Sequence, residues 1–172
     1  MSVLKARRSE SRAEYVNVAK EIFQGTIDFL SRLSARYSRL MAPSVSGLAS
    51  KVLEHAEVAN SIYPTDKVKC ETREYHLVEA RGALMALDVE LAQCYEIMMK
   101  NPEGCFTGVD GKRSVAPAEA KRKLENMAQR LGELIDEENS KLTGVMKSDK
   151  ERLKAAKRAA KKAAEEISQE GT

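Results

Sequence analysis

Residues Glu71–Met99 read ETREYHLVEARGALMALDVELAQCYEIMM. Leu77, Ala80, Leu84, Leu87, Leu91, Cys94 and Met98 recur at three- and four-residue steps, the period of one helical face. Val78, Met85, Val89 and Tyr95 widen that stripe, so the helix is expected to touch more than one neighbour. No proline interrupts it. Its one glycine, Gly82, costs ~1 kcal/mol against Ala in a helix interior, and a close helix crossing at that point would offset the cost. A helix of about eight turns calls for partners of similar length.

The flanking sequence supplies them. Upstream, Tyr15, Val18, Ala19, Ile22, Phe23, Thr26, Phe29, Leu30, Leu33 and Tyr37 predict a first helix from near Ser9 to about Leu40, with Ser9 or Ser11 as cap. Pro43 disfavours helix at Ala42, which sets a break there, and Ser44 is placed to cap a second helix over about 45–63. Tyr63-Pro64-Thr65-Asp66 predicts a turn that ends on a new N-cap, Thr65 or Asp66. Downstream, Pro102 stops the central helix. Residues 102–116 form a loop whose Asp110-Gly111 pair suits a small hairpin. Pro117 is placed for the first turn of a fourth helix that runs to about Met146. The expected fold is therefore all-α: an antiparallel four-helix bundle over 10–146, with a basic segment at 1–9 and a Lys/Ala-rich helical extension at 147–172.

Composition agrees with helices. Of the 172 residues 42% are hydrophobic and 5% aromatic, with no Trp, so Leu, Ala, Val, Ile and Met must build the core. The net charge of +3 is uneven: residues 1–40 carry eight Lys/Arg against four Asp/Glu, residues 147–172 eight against five, and the middle is acidic. Basic ends point to a polyanionic partner. Cys70, Cys94 and Cys105 are an odd, sparse set, expected to be reduced thiols in a cytoplasmic protein. No apolar run approaches membrane-spanning length.

The basic residues fall in three groups. Arg32, Arg36 and Arg39 lie at four- and three-residue steps and so share a face of the first helix, either as an exposed solubilising ridge or as an anion-binding patch. Lys154, Lys157, Arg158, Lys161 and Lys162 form a stripe opposite alanines, suited to tracking phosphates or simply to solvation. Arg7, Arg8 and Arg12 lie in the basic N-terminal stretch. Asp136, Glu137 and Glu138 are consecutive, so they fan around a helix and are expected to face solvent. The sequence offers little to a catalyst. Neither His55 nor His76 follows a Glu by three residues, as inward-facing di-iron sites need. There is no Gly-rich phosphate loop, no Cys/His metal spacing and no nucleophile elbow, so neither a catalytic residue nor a metal or other cofactor is expected.

Arg73-Glu74-Tyr75, followed by Leu77, Ala80, Gly82, Ala83, Leu84, Met85 and Leu87, resembles the third-helix pattern of the accessory variability determinant proteins of diversity-generating retroelements. These are four-helix bundles similar to the ribosomal-RNA intervening-sequence proteins. The resemblance in sequence covers residues 73–91, and in architecture about 10–146. It implies a non-catalytic, basic pentameric ring that binds the element's reverse transcriptase and its template RNA to support mutagenic cDNA synthesis. It also implies that Arg73 and Arg81 contact polymerase or polyanion. The loop at 102–116 and the tail depart from that minimal bundle, and the acidic middle shifts the expected contacts to Arg32, Arg36, Arg39 and the chain ends. The alternative is a protein–protein scaffold with no nucleic-acid role, its arginines meeting acidic protein surfaces.

Overall fold

The computed structural model describes residues 13–106 and 115–170, and the side chains of 156, 157 and 159–170 stand outside that description. Its order is α1 (Glu14–Leu30), α2 (Ala35–Ser61), α3 (Lys67–Met99), a 3-10 turn (Pro102–Phe106) and α4 (Pro117–Glu170). Each helix packs on its neighbours in sequence, and α4 returns to α1 to close the ring. Alternation of direction follows from the pairs that meet: Lys20 with Glu57, His55 with His76, Arg81 with Asn139, Glu14 with Lys141. This is an all-α antiparallel four-helix bundle.

The central stripe behaves as its spacing predicts. Leu77, Ala80, Leu84, Leu87, Leu91, Cys94 and Met98 are all buried. They meet Val16, Ile22 and Phe29 of α1, Val45 and Val52 of α2, and Leu124, Leu131 and Leu142 of α4 in one core. Asp66 caps α3, its side chain accepting from the Lys69 backbone N–H at 2.9 Å. Gly25 lets α1 approach α4, since a Cβ there would lie 3.0 Å from Leu131 Cδ2.

Three expectations need correction, and a fourth, the hairpin, lies outside the described residues. The first helix does not reach Leu40: it ends at Leu30, and α2 starts at Ala35. Ser31 Oγ donates to the Asp28 carbonyl at 2.6 Å, and extended backbone at Ser34 starts the next helix. Reversal at this level keeps α1 within the height of α3, about 50 Å. Pro43 is accordingly no break. It sits inside α2 on the exposed side, where the Arg39 carbonyl that loses its intrahelical donor can face solvent. The hairpin proposed around Asp110-Gly111 falls outside the described residues, but the start of its loop is a 3-10 turn. Finally, Met146 marks no boundary. α4 is one helix of 54 residues, about 80 Å long, and stays in contact with α3 as far as Asp149 and Lys150. Among the described residues no helix is long and apolar enough to cross a membrane.

Candidate nucleic-acid interface

The α1–α2 reversal splits the expected arginine ridge. Arg36 and Arg39 stand exposed in the first turns of α2, three residues apart and thus on one face. Arg32 lies in the turn before them, half-buried, its guanidinium carbon 5.2 Å from the centroid of Phe106. Lys123 of α4 approaches the same ring at 5.8 Å. Phe106 thereby ties the α1–α2 turn and the start of α4 to the 3-10 turn, with two cations about it. Among the described residues none of Arg32, Arg36 and Arg39 forms an ion pair, whereas Lys123 and Lys121 hold Glu119 and Glu125 at 2.9 and 3.7 Å.

Arg73 has a different setting. It is 13% exposed; its Nε donates to Asp149 Oδ2 at 2.7 Å, and its Nη1 donates to the carbonyls of Ala59 and Ile62, the second at 3.1 Å. The guanidinium adds a donor to the Ala59 carbonyl, which also accepts from the Ile62 N–H at 3.3 Å, satisfies the carbonyl of the C-cap Ile62, and clamps α4 to α3. With Nε and Nη1 engaged inside the chain and the side chain 13% exposed, Arg73 presents little of its guanidinium to an external partner. Arg81 is exposed, with its Nε donating to Asn139 Oδ1 at 2.9 Å and no ion pair among the described residues.

Far along α4, Lys154 and Arg158 are exposed at helical spacing. Lys157, Lys161 and Lys162 belong to the same helix, but their side chains lie outside the described residues, as do Arg7, Arg8 and Arg12 entirely. Lys123 and Arg158 are 35 residues apart on one helix, so the arginine end and the basic tail are separated by about 50 Å.

Two polar features escaped the sequence reading. Glu138 does not face solvent. It is fully buried, and neither carboxylate oxygen meets a donor. Burial raises its pKa to about 8, with Glu137 adding to the rise and Lys141 opposing it. Tyr15 lies nearby, its hydroxyl buried without a well-formed hydrogen bond and its pKa raised by burial, with Arg73 opposing. The signal was present: Leu131, Ile135 and Leu142 demand an inward residue at 138, so register overrides composition. The second feature is the pair His55 and His76, whose Nδ1 atoms are 2.9 Å apart between α2 and α3. One must donate and the other accept, so the contact holds a single shared proton.

Among the described residues no three His, Cys, Asp or Glu side chains converge as a metal site would require. Hollows of about 240 and 200 Å³ lie along α4, the first around Gly25 and Arg130 and the second around Tyr95 and Gly132; no histidine or cysteine lines either. Burial pushes the Cys94 thiol up to about 11 and raises Cys105, which disfavours the reactive thiolate at both.

The outward face of α3 is the last candidate surface. Val68, Tyr75, Val78, Met85 and Val89 are 41–70% exposed. Among the described residues the wider stripe reaches no further neighbour, and nothing approaches Gly82, where a Cβ would meet open space. Fully burying side chains of this size contributes roughly 1.5–3 kcal/mol each, so this face leaves a sizeable part of that unused. Compared with protein-family models, curated proteins and solved structures, the chain matches none.

Proposed function

We propose that this protein is a non-catalytic, self-associating accessory protein that holds structured RNA by its phosphates. Following the resemblance of residues 73–91, it serves the reverse transcriptase and template RNA of a diversity-generating retroelement in the cytoplasm. The observation that carries the RNA-binding part is the end of the bundle at Arg32, Arg36 and Arg39, where, among the described residues, none of the three arginines forms an ion pair. Guanidinium groups in that state suit the bidentate geometry of phosphate. Lys154 and Arg158 extend the basic character to the other end, so an RNA of about 50 Å or longer can touch both. Arg73 leaves the binding set.

The test is binding of a structured RNA against salt. Wild-type affinity is expected to fall steeply as salt rises, and the combined Arg32→Ala, Arg36→Ala and Arg39→Ala protein to lose about two to three from the log–log slope. Salt-independent binding, or no binding at low salt by a folded protein, would overturn the reading. The competing reading, a scaffold that meets only proteins, draws on the exposed α3 face, and it becomes the better one if RNA binding is absent.

A further inference from the structure

The first turns of α2 stand outside the core. The helix begins at Ala35, and its first buried residue is Val45. Met41 and Ala42 pack against the core, whereas Arg36, Tyr37, Arg39 and Leu40 are exposed. At about 100° per residue, Arg39, Arg36, Leu40 and Tyr37 follow one another across about 160° of the helix surface. Tyr37 is 40% exposed, and among the described residues its ring makes no hydrogen bond or ring contact. An aromatic face therefore lies open beside two arginines that form no ion pair.

The charge along this part of the chain has one sign. Between Asp28 and Glu54 there is no Asp or Glu, but there are Arg32, Arg36, Arg39 and Lys51. Lys51 is exposed; it lies about 22 Å along α2 from Arg36 and within about 60° of it around the helix. The surface between them carries the small residues Pro43, Ser44 and Gly47, and a Cβ at Gly47 would meet open space. The other exposed tyrosines have different neighbours. Tyr75 has Glu71, Glu74 and Glu79 within one helical turn, and Tyr63 stands just before Asp66. Acids in those positions repel a polyanion. The basic tail over 147–172 has no aromatic residue at all.

We propose that Tyr37 is a platform on which an unpaired base of RNA stacks, with Arg36 and Arg39 holding the phosphates beside it and Lys51 a phosphate further along the strand. Bases within a duplex cover one another's faces, while those of a loop or single strand are free to stack on a side chain. A tyrosine ring accepts the face of any base, and flanking cations hold the backbone. The ring also argues against an acidic protein segment in this place, because the negative face of an aromatic ring gives a carboxylate nothing to bind. The partner is thus an RNA with an unpaired segment, such as the loop of a structured RNA. The inference rests on the proposed RNA binding and deepens it by naming the class of RNA.

Binding of the full chain to three probes tests it: a short oligouridylate, a blunt RNA duplex of the same length, and polyglutamate. Tyr37→Ala is expected to weaken oligouridylate binding about tenfold or more and to leave duplex binding unchanged. Its salt dependence should match wild type, because no phosphate contact is lost, whereas Arg36→Ala should take about 0.7 from the log–log slope on the single strand. Tyr37→Phe should keep the wild-type affinity. Since the chain has no Trp, Tyr37→Trp adds a single reporter, whose emission the oligouridylate should quench and the duplex should not. Each variant sits at an exposed position, and unchanged helicity checks that it folds. A Tyr37→Ala protein that binds oligouridylate like wild type, or that loses equally on the duplex, overturns the platform and leaves phosphate binding in place. Binding to neither RNA overturns both readings, and polyglutamate binding in that case gives the face to an acidic protein.

Discussion

At the end of the bundle where α1 turns into α2, Arg36 and Arg39 stand exposed, with no ion pair among the described residues. At the other end Arg73 is 13% exposed, holds Asp149 and reaches two carbonyls of α2. The side chain is the same, but the surroundings differ. Around Arg73 the ends of α2 and α3 and the long run of α4 bring acceptors together, whereas the first turns of α2 bring none. A basic residue therefore counts as a candidate contact only when its donors are left over after folding.

The largest effect should come from breaking the closed end. Arg73→Met strands Asp149 and the Ile62 carbonyl, and is expected to lower unfolding stability by about 3–5 kcal/mol in a urea titration. An undiminished midpoint would remove the difference between the two ends.

Glu138, on the helix that Arg73 clamps, gives the next effect. Its folded pKa of about 8 lies above the ordinary 4.5. From pH 4.5 to about 8 the folded chain keeps a proton that the unfolded chain has released, so stability falls as pH rises through that window. The slope reaches at most about 1.4 kcal/mol per pH unit, and stability is level with respect to this group on either side. Glu138→Leu removes the buried carboxyl, so it should flatten that profile and stabilise the protein at pH 8 by roughly 2–4 kcal/mol. A profile unchanged by the substitution would mean that Glu138 is hydrated in solution.

The smallest effect belongs to the open end. Arg36→Ala and Arg39→Ala should each change stability by no more than about 0.5 kcal/mol. A larger loss in the same urea titration would show that these arginines hold the fold, and would weaken their assignment to RNA.

Much of this molecule was legible from spacing alone. Three- and four-residue recurrence identified the buried face of α3 residue by residue, Asp66 announced the start of that helix, and Pro117 the start of the next. Such features depend on helical period and local hydrogen bonds, which neighbouring residues determine by themselves. Other features required the assembled bundle. The apolar recurrence runs from Phe29 through Leu33 to Tyr37 without a break, so where α1 reverses depends on the height of the helices it packs against. Pro43 is tolerated because its carbonyl partner faces outward. Val78 and Met85 carry the same apolar signal as Leu77 and Leu84, and only the arrangement of α1, α2 and α4 leaves one pair in water and the other in the core. Burial of Glu138 and the commitment of Arg73 are likewise properties of three helices meeting. A sequence states which faces a helix has, and the number of neighbours available to cover them is known only when all the helices are in place.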